Sequence, residues 1–305
     1  MTTAQKLLVA TDLSGPARHA VERAFLLAAQ SGSELDVVHA MELDALDSLR
    51  DMLGGDVSAV KAAVGREAQE RLETLTGDSA IHRGVTARAC IVPGSPLQAI
   101  SAKIDELSPH LVVLGARGES FLRHALLGST AARLLRKAVR QPVLVVKQAP
   151  HEAYRSVLAA VDFSPVSPAL IRKARDLAPQ AELLLVHAFE LPYEGKLAYA
   201  GVDEQVIRQC IIRETEQRRA QLHELAAAAG LEPREYSARI VHGDPSQQIV
   251  VLEQEYDCDL IVLGKHGRHV AEELLLGSLT KHVLAESQCD VLVMCDPRTA
   301  PHAAP

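Results

Sequence analysis

The sequence predicts a tandem pair of doubly wound α/β domains, each with a parallel sheet covered by helices on both faces. Three observations lead there. The first is a repeated loop. Leu114-Gly115-Ala116-Arg117-Gly118 is followed after nine residues by Gly128-Ser129, and Leu263-Gly264-Lys265-His266-Gly267 is followed after nine by Gly277-Ser278. The second is that the duplication runs through the whole of each half. Leu8-Val9-Ala10-Thr11-Asp12-Leu13-Ser14 aligns with Ala159-Ala160-Val161-Asp162-Phe163-Ser164, Leu35-Asp36-Val37-Val38-His39-Ala40 with Leu183-Leu184-Leu185-Val186-His187-Ala188, and Gly94-Ser95-Pro96 with Gly243-Asp244-Pro245. A period near 150 residues is too long for a solenoid and suits a complete domain. The third is the character of the strands: Leu111-Val112-Val113-Leu114 and Leu260-Ile261-Val262-Leu263 are unbroken apolar runs, as expected of parallel strands buried on both faces.

Taken in order, the first half has strand-like runs near 7–12, 35–41, 85–91, 111–115 and 143–147, and helical stretches near 16–31, 57–78, 95–107 and 129–140. Ala17, Ala20, Val21, Ala24 and Leu27 give the first helix an apolar stripe at helical spacing. The second half repeats the alternation with strands near 156–162, 182–188, 234–241, 259–264 and 291–295, and with a longer helix over 203–229. The domains are expected at 1–149 and 150–305, joined near Gln148-Ala149-Pro150-His151, with a Pro- and Ala-rich tail expected to be disordered from about 297.

Composition narrows the function classes. A chain of 305 residues that is 48% apolar can bury two independent cores. A formal net charge of -7 with no Trp and no basic stripe argues against a general nucleic-acid binder. The first residues run straight into a short strand, so neither a signal peptide nor a membrane span is expected, and the reading is cytoplasmic. Five cysteines without close pairing fit a reducing compartment. Cys289 and Cys295 flank a strand that would hold them about 20 Å apart, too far to share a metal.

In a doubly wound order the first and fourth strands lie side by side, and a ligand crevice opens at their carboxyl ends. Those ends carry Asp12 beside Gly115, and Asp162 beside Gly264. Gly115 and Gly118 are expected to permit positive φ and to let backbone N–H groups approach an anion. Gly128-Ser129 then opens a helix, with Ser129, like Ser278, as the expected cap and with a dipole that favours negative charge. Arg117 in one half, and Lys265, His266 and Arg268 in the other, supply cations. The loops read as cradles for phosphates.

These residues resemble the nucleotide-binding type of the universal stress protein family. The resemblance rests on the Gly-x2-Gly-x9-Gly-Ser arrangement after a fourth strand, the Asp ending the first strand and the terminal strand, and covers 5–147 and 154–296. Cys289-Asp290 before the last strand is similar to the tandem E-type members. The resemblance implies a strand order of 3-2-1-4-5 and ATP or another adenine nucleotide, with or without Mg²⁺, over the carboxyl edge. Carried over residue by residue, Asp12 and Asp162 lie by the nucleoside or its metal, and Ala40 and Ala188 offer backbone groups to adenine. Gly115, Gly118, Gly128, Ser129 and Thr130 bind ribose and phosphates in the first half; Gly264, Gly267, Gly277, Ser278 and Leu279 do so in the second. The resemblance also implies an intramolecular pseudo-dimer through Val143–Val146 and Val291–Met294, and leaves room for a further homodimer. One departure orders the sites: Glu119 stands where a basic residue is common, whereas the second half has Arg268, so the second site ranks higher.

Plainer roles compete. Asp12 and Asp162 can cap the turns after them, and His39 and His187 read as hydrogen-bonded histidines at the sheet edge rather than catalytic ones. Asp244 and Pro245 read as the cap and first residue of a helix. The charged stretch Arg208 to Arg219 reads as a solvated helix face. No Gly-x4-Gly-Lys-Ser/Thr loop, Gly-x-Gly-x-x-Gly turn, Gly-x-Ser-x-Gly elbow or His-Glu-x-x-His helix is present. The expected function is therefore nucleotide sensing, in which occupancy of the loops modulates a regulatory protein partner. The alternatives are a slow ATP hydrolase, with Asp162 and His266 as contributors, and a nucleotide-independent scaffold with vestigial loops.

Overall fold

The computed structural model describes residues 5–42, 57–118, 127–137, 140–266 and 276–295. Glu119, Gly267, Arg268, His269 and the tail from 297 lie outside them. The chain divides into two compact units, Met1–Ala153 and Tyr154–Pro305.

Unit 1 is built from β1 (Lys6–Thr11), α1 (Gly15–Ser31), β2 (Glu34–Met41), α2 (Val57–Gly77), α3 (Ser79–His82), β3 (Ala87–Pro93), α4 (Pro96–Leu107), β4 (Leu111–Gly115), α5 (Ser129–Arg136) and β5 (Val143–Val146). Every ladder is parallel, and β1 is the hinge of the order: it pairs with β2 on one side and β4 on the other, with β3 beyond β2 and β5 beyond β4. The order 3-2-1-4-5 follows from helices that cross over on opposite faces. Leu7, Leu8 and Val9, Leu111 to Val113, and Val143 to Val146 are all buried without alternation, which is what covering both faces demands. The α1 stripe of Ala17, Ala20, Val21, Ala24 and Leu27 is buried as its spacing predicts. Ser14 caps α1 by accepting from Ala17 N at 3.3 Å, and Gly32 ends it at φ 67°.

Unit 2 repeats this with β6 (Ser156–Ala160), α6 (Ser167–Leu177), β7 (Glu182–Phe189), α7 (Glu194–Tyr199), α8 (Glu204–Ala228), β8 (Ser237–His242), α9 (Pro245–Glu255), β9 (Leu260–Gly264), α10 (Ser278–Glu286) and β10 (Asp290–Met294). Here β6 pairs with β7 and β9, again all parallel, and β8 and β10 are the outer strands. Asp244 caps α9 through Gln247 N at 2.9 Å, with Pro245 at its start.

Several boundaries differ from the sequence expectation, each for a local reason. The third strand starts at 87 rather than 85, because Val85 N turns back to the His82 carbonyl at 2.7 Å. Its counterpart starts at 237 rather than 234, because Pro233–Glu235 forms a 3₁₀ turn. The helix α5 stops at 136, short of the expected 140, because Lys137 turns extended at φ -65° and ψ 150°. The short helix α7 was not expected; it follows Tyr193, which sits at φ 63° and reverses the chain.

Unit 2 buries a carboxylate where unit 1 has Ile104. Glu253 on α9 is 3% exposed, and its Oε1 accepts from Gln288 N at 2.7 Å and Cys289 N at 2.8 Å, fixing the entry to β10. Oε2 is buried without a hydrogen bond. Unfolding by urea should show Glu253→Ala destabilised by about 2–3 kcal/mol, because two backbone donors lose a charged acceptor. Glu253→Gln keeps the acceptor and should cost less than about 1 kcal/mol.

Candidate nucleotide cleft

The turn after β1 explains how one carboxylate serves two purposes. Asp12 Oδ1 accepts from Ser14 N at 3.0 Å and from Ser14 Oγ at 2.5 Å, closing the turn. Its other oxygen, Oδ2, faces Gly118 so closely that a Cβ there would collide with it. In unit 2 Asp162 Oδ1 accepts from Ser164 N at 3.0 Å and Ser167 Oγ at 3.2 Å, while Oδ2 is buried without a hydrogen bond. In each unit the turn is closed through Oδ1. The residues that follow, Leu13 and Phe163, hold φ 63° and 58°, a left-handed conformation that costs a bulky side chain of order 1 kcal/mol and keeps the carboxylate at the crevice.

The loop after β4 begins where Ala116 N donates to Val146 O at 2.8 Å and ends where Gly128 N donates to Ala116 O at 2.7 Å. In unit 2 Lys265 N donates to Met294 O at 2.7 Å, and Gly277 N to Lys265 O at 3.0 Å. These bonds bring the start of α5 or α10 back onto the end of its strand.

Two expectations about this loop are corrected. None of Gly115, Gly118, Gly128, Gly264 and Gly277 has positive φ. They are needed for room: added Cβ atoms would stand 3.0 Å from Arg117 O at 115, 3.2 Å from Ala116 O at 128, 3.2 Å from His266 O at 264 and 3.1 Å from Lys265 O at 277. Nor is Ser129 or Ser278 the cap. Gly128 and Gly277 hold the cap position, and the serines are the first helical residues. The tight Gly128 N to Ala116 O contact moves the cap back by one residue and leaves Ser129 exposed.

In unit 1 these parts enclose a cavity of about 540 Å³. Asp12, Ala40, Gly115, Arg117, Gly118, Gly128, Ser129 and Thr130 all line it. Val38, Leu114 and Ile100 add an apolar wall, and Pro96 also lines the cavity. Pro96 and Ile100 were missed as site residues, although their segment repeats as Pro245 to Ile249 in unit 2. That repetition was read as a helix start alone.

In unit 2, Ala188 lies in register with Val241 near the end of β7, and Gly264 ends β9. Gly277, Ser278 and Leu279 open α10. Lys265 departs from the sequence reading. It matches Ala116, which does not line the unit 1 cavity, and its side chain is 3% exposed and near Cys295, whose thiol burial pushes up and Lys265 pulls down. His266 therefore matches Arg117. Gly267, Arg268 and Glu119, the last two of which rank the second site above the first, lie outside the described residues. Thr280, also missed, holds the unit 2 loop from below: its Oγ1 donates to Gly264 O at 2.8 Å and lies 3.3 Å from Lys265 O. Unit 1 has Ala131 at this position.

The histidines behave as edge residues. His39 Nδ1 donates to Thr11 O at 3.0 Å, and His187 Nδ1 to Val161 O at 2.8 Å. Both tie the second strand of a unit to the end of its first.

Fold and site together define a tandem doubly wound protein whose first unit holds a cavity at the carboxyl ends of β1 and β4. The chain belongs to the universal stress protein family, whose sequence profile matches residues 3–147 and 153–294. Universal stress protein A homolog 2 of Coxiella burnetii is 34% identical over 149 residues, covering 46% of this chain and 94% of that protein. A universal stress protein of Mycobacterium tuberculosis H37Rv is 28% identical over 263 residues, covering 81% of this chain and 77% of the relative. Among solved structures, a universal stress protein from Archaeoglobus fulgidus aligns with TM-score 0.62 at 20% identity, over 95% of this chain and 98% of that one. A protein of unknown function from Pseudomonas aeruginosa aligns with TM-score 0.65 at 21% identity, over 97% and 94%. At these identities the structures establish the fold alone. No helix among the described residues is long and apolar enough to cross a membrane.

Thr280→Val should lower the stability of unit 2 by about 1 kcal/mol, the worth of one hydrogen bond. Faster amide hydrogen exchange at Gly264 to His266, with β6 unchanged, is the expected local sign.

Proposed function

We propose that the protein binds an adenine nucleotide, ATP in the first instance, and that occupancy changes the surface it offers to a regulatory protein partner. The observation that carries this reading is the unit 1 cavity, where all eight residues expected for that half meet around one space. Its chemistry is graded as a nucleotide requires. Val38, Ala40, Leu114 and Ile100 suit a base, with the backbone at Ala40, near the end of β2, placed to read its edge. Asp12 Oδ2 suits ribose hydroxyls or a cation. The backbone N–H groups of Ser129 and Thr130, at the start of α5, suit phosphate oxygens, with Arg117 adding charge.

A divalent cation fits this arrangement only in company. One carboxylate oxygen is too few for a protein-held Mg²⁺, which takes several waters and phosphate oxygens. Asp12 in unit 1 and Asp162 in unit 2 would hold it, and it would neutralise phosphate charge. The partnerless Asp162 Oδ2 supports a similar role for the second cleft. Regulation follows if phosphate contacts favour one arrangement of the loop, and its extent is limited by the difference in ATP affinity between arrangements.

The test is to purify the protein without added nucleotide, denature it, and count released small molecules by mass spectrometry and absorbance. An adenine nucleotide is expected, or, from an empty preparation, saturable ATP binding by titration. Asp12→Ala should weaken ATP at the first cleft by about 10- to 100-fold, the worth of a charged contact. Gly118→Val should abolish it there by driving a side chain into Asp12. A protein that is purified empty and does not bind added ATP overturns the proposal and favours the scaffold reading.

A further inference from the structure

Unit 1 carries a second opening, of about 950 Å³, between α1, α2 and α3 and bordered by the turn Leu13-Ser14-Gly15. Its size lies within the range of small-molecule sites. Leu13 and Leu75 supply half-buried apolar walls. Three of the charged residues that line it are Arg18, Glu70 and Arg71. Arg18 is committed, with Nε 2.9 Å from Glu22 and its guanidinium 2.8 Å from Asp78. Arg71 is not: among the described residues its hydrogen bond is a long one, 3.4 Å to Leu13 O. The Glu70 carboxylate has no ion pair among the described residues. One available guanidinium and one available carboxylate thus face a single space with an apolar wall.

The duplication supplies an internal control. Helices α2 and α8 match through Leu72 and Leu222, both fully buried, and the turns match through Asp12 and Asp162. In that register unit 2 keeps Leu225 for Leu75 but has Pro168 for Arg18, Ala220 for Glu70 and Gln221 for Arg71. Phe163 stands for Leu13 and packs on the His187 ring at 4.3 Å. The same fold forms without the charges, so the fold does not require them.

We propose that this opening is a second ligand site, specific to unit 1, for a zwitterion of the α-amino-acid class. Arg71 takes the carboxylate, Glu70 takes the ammonium, and an apolar side chain lies against Leu13 and Leu75. Because both charged groups are reached by solvent, affinity falls near the millimolar range. The site needs no nucleotide, so its test stands apart from that of the cleft.

Ligand-observed saturation-transfer NMR on the full chain, with leucine as the probe, measures it. Leucine should give saturable binding. Leucinamide, which lacks the carboxylate, and N-acetylleucine, which lacks the ammonium, should each bind about tenfold more weakly. Arg71→Gln should make leucine and leucinamide bind alike, and Glu70→Ala should do so for leucine and N-acetylleucine. Both variants copy residues already tolerated in unit 2, and circular dichroism checks that they fold. No saturable leucine binding up to roughly 50 mM overturns the proposal. Binding that both variants leave unchanged also overturns it.

Discussion

The short bond from Gly128 N to Ala116 O, repeated as Gly277 N to Lys265 O, is the constraint on which each cleft depends. It brings a helix start back to the end of the strand that launched the loop. A parallel sheet already aims every strand end at one edge, and β1 and β4 diverge there because their crossovers leave on opposite faces. The bond adds a helix N-terminus to that gap. Without it the dipole of α5 or α10 would point elsewhere, and the glycines would have nothing to make room for.

Much of this was legible in the residues. Unbroken apolar runs announce parallel strands because both faces are covered, and the stripe from Ala17 to Leu27 announces the face that α1 buries. The lining of the first cavity was legible because duplication marks what composition alone cannot: Asp12 and the glycines recur at matching places in the two halves. What failed to show depended on three-dimensional detail. The glycines read as conformational devices, yet their φ values are ordinary and the pressure on them comes from carbonyls across the loop. Ser129 read as a cap by residue type, but the tight loop closure gave that position to its neighbour.

Side-chain direction was the harder limit. Lys265 read as a phosphate cation from its place in the loop, whereas alternation at the strand end turns it toward Cys295 and leaves His266 at the position that matches Arg117. Pro96 and Ile100 sit far along the chain from the glycines and reach the cavity only because α4 packs beside it. Glu253 gave no signal, since a carboxylate in a helix usually faces water. Its two backbone donors come from the approach to β10, which no local pattern joins to α9. In each case the missing information was a contact between segments distant in sequence.

The division of labour within Asp12 and Asp162 bears on how such proteins are compared. One oxygen fastens the turn in both units, so a copy without a ligand would still have reason to keep the aspartate. Its persistence in a relative reports the integrity of the turn and says little about occupancy. Gly118 answers to a different pressure, because it is kept small by the oxygen that faces the cleft. Whether that glycine survives is the better marker of a cleft that keeps its room.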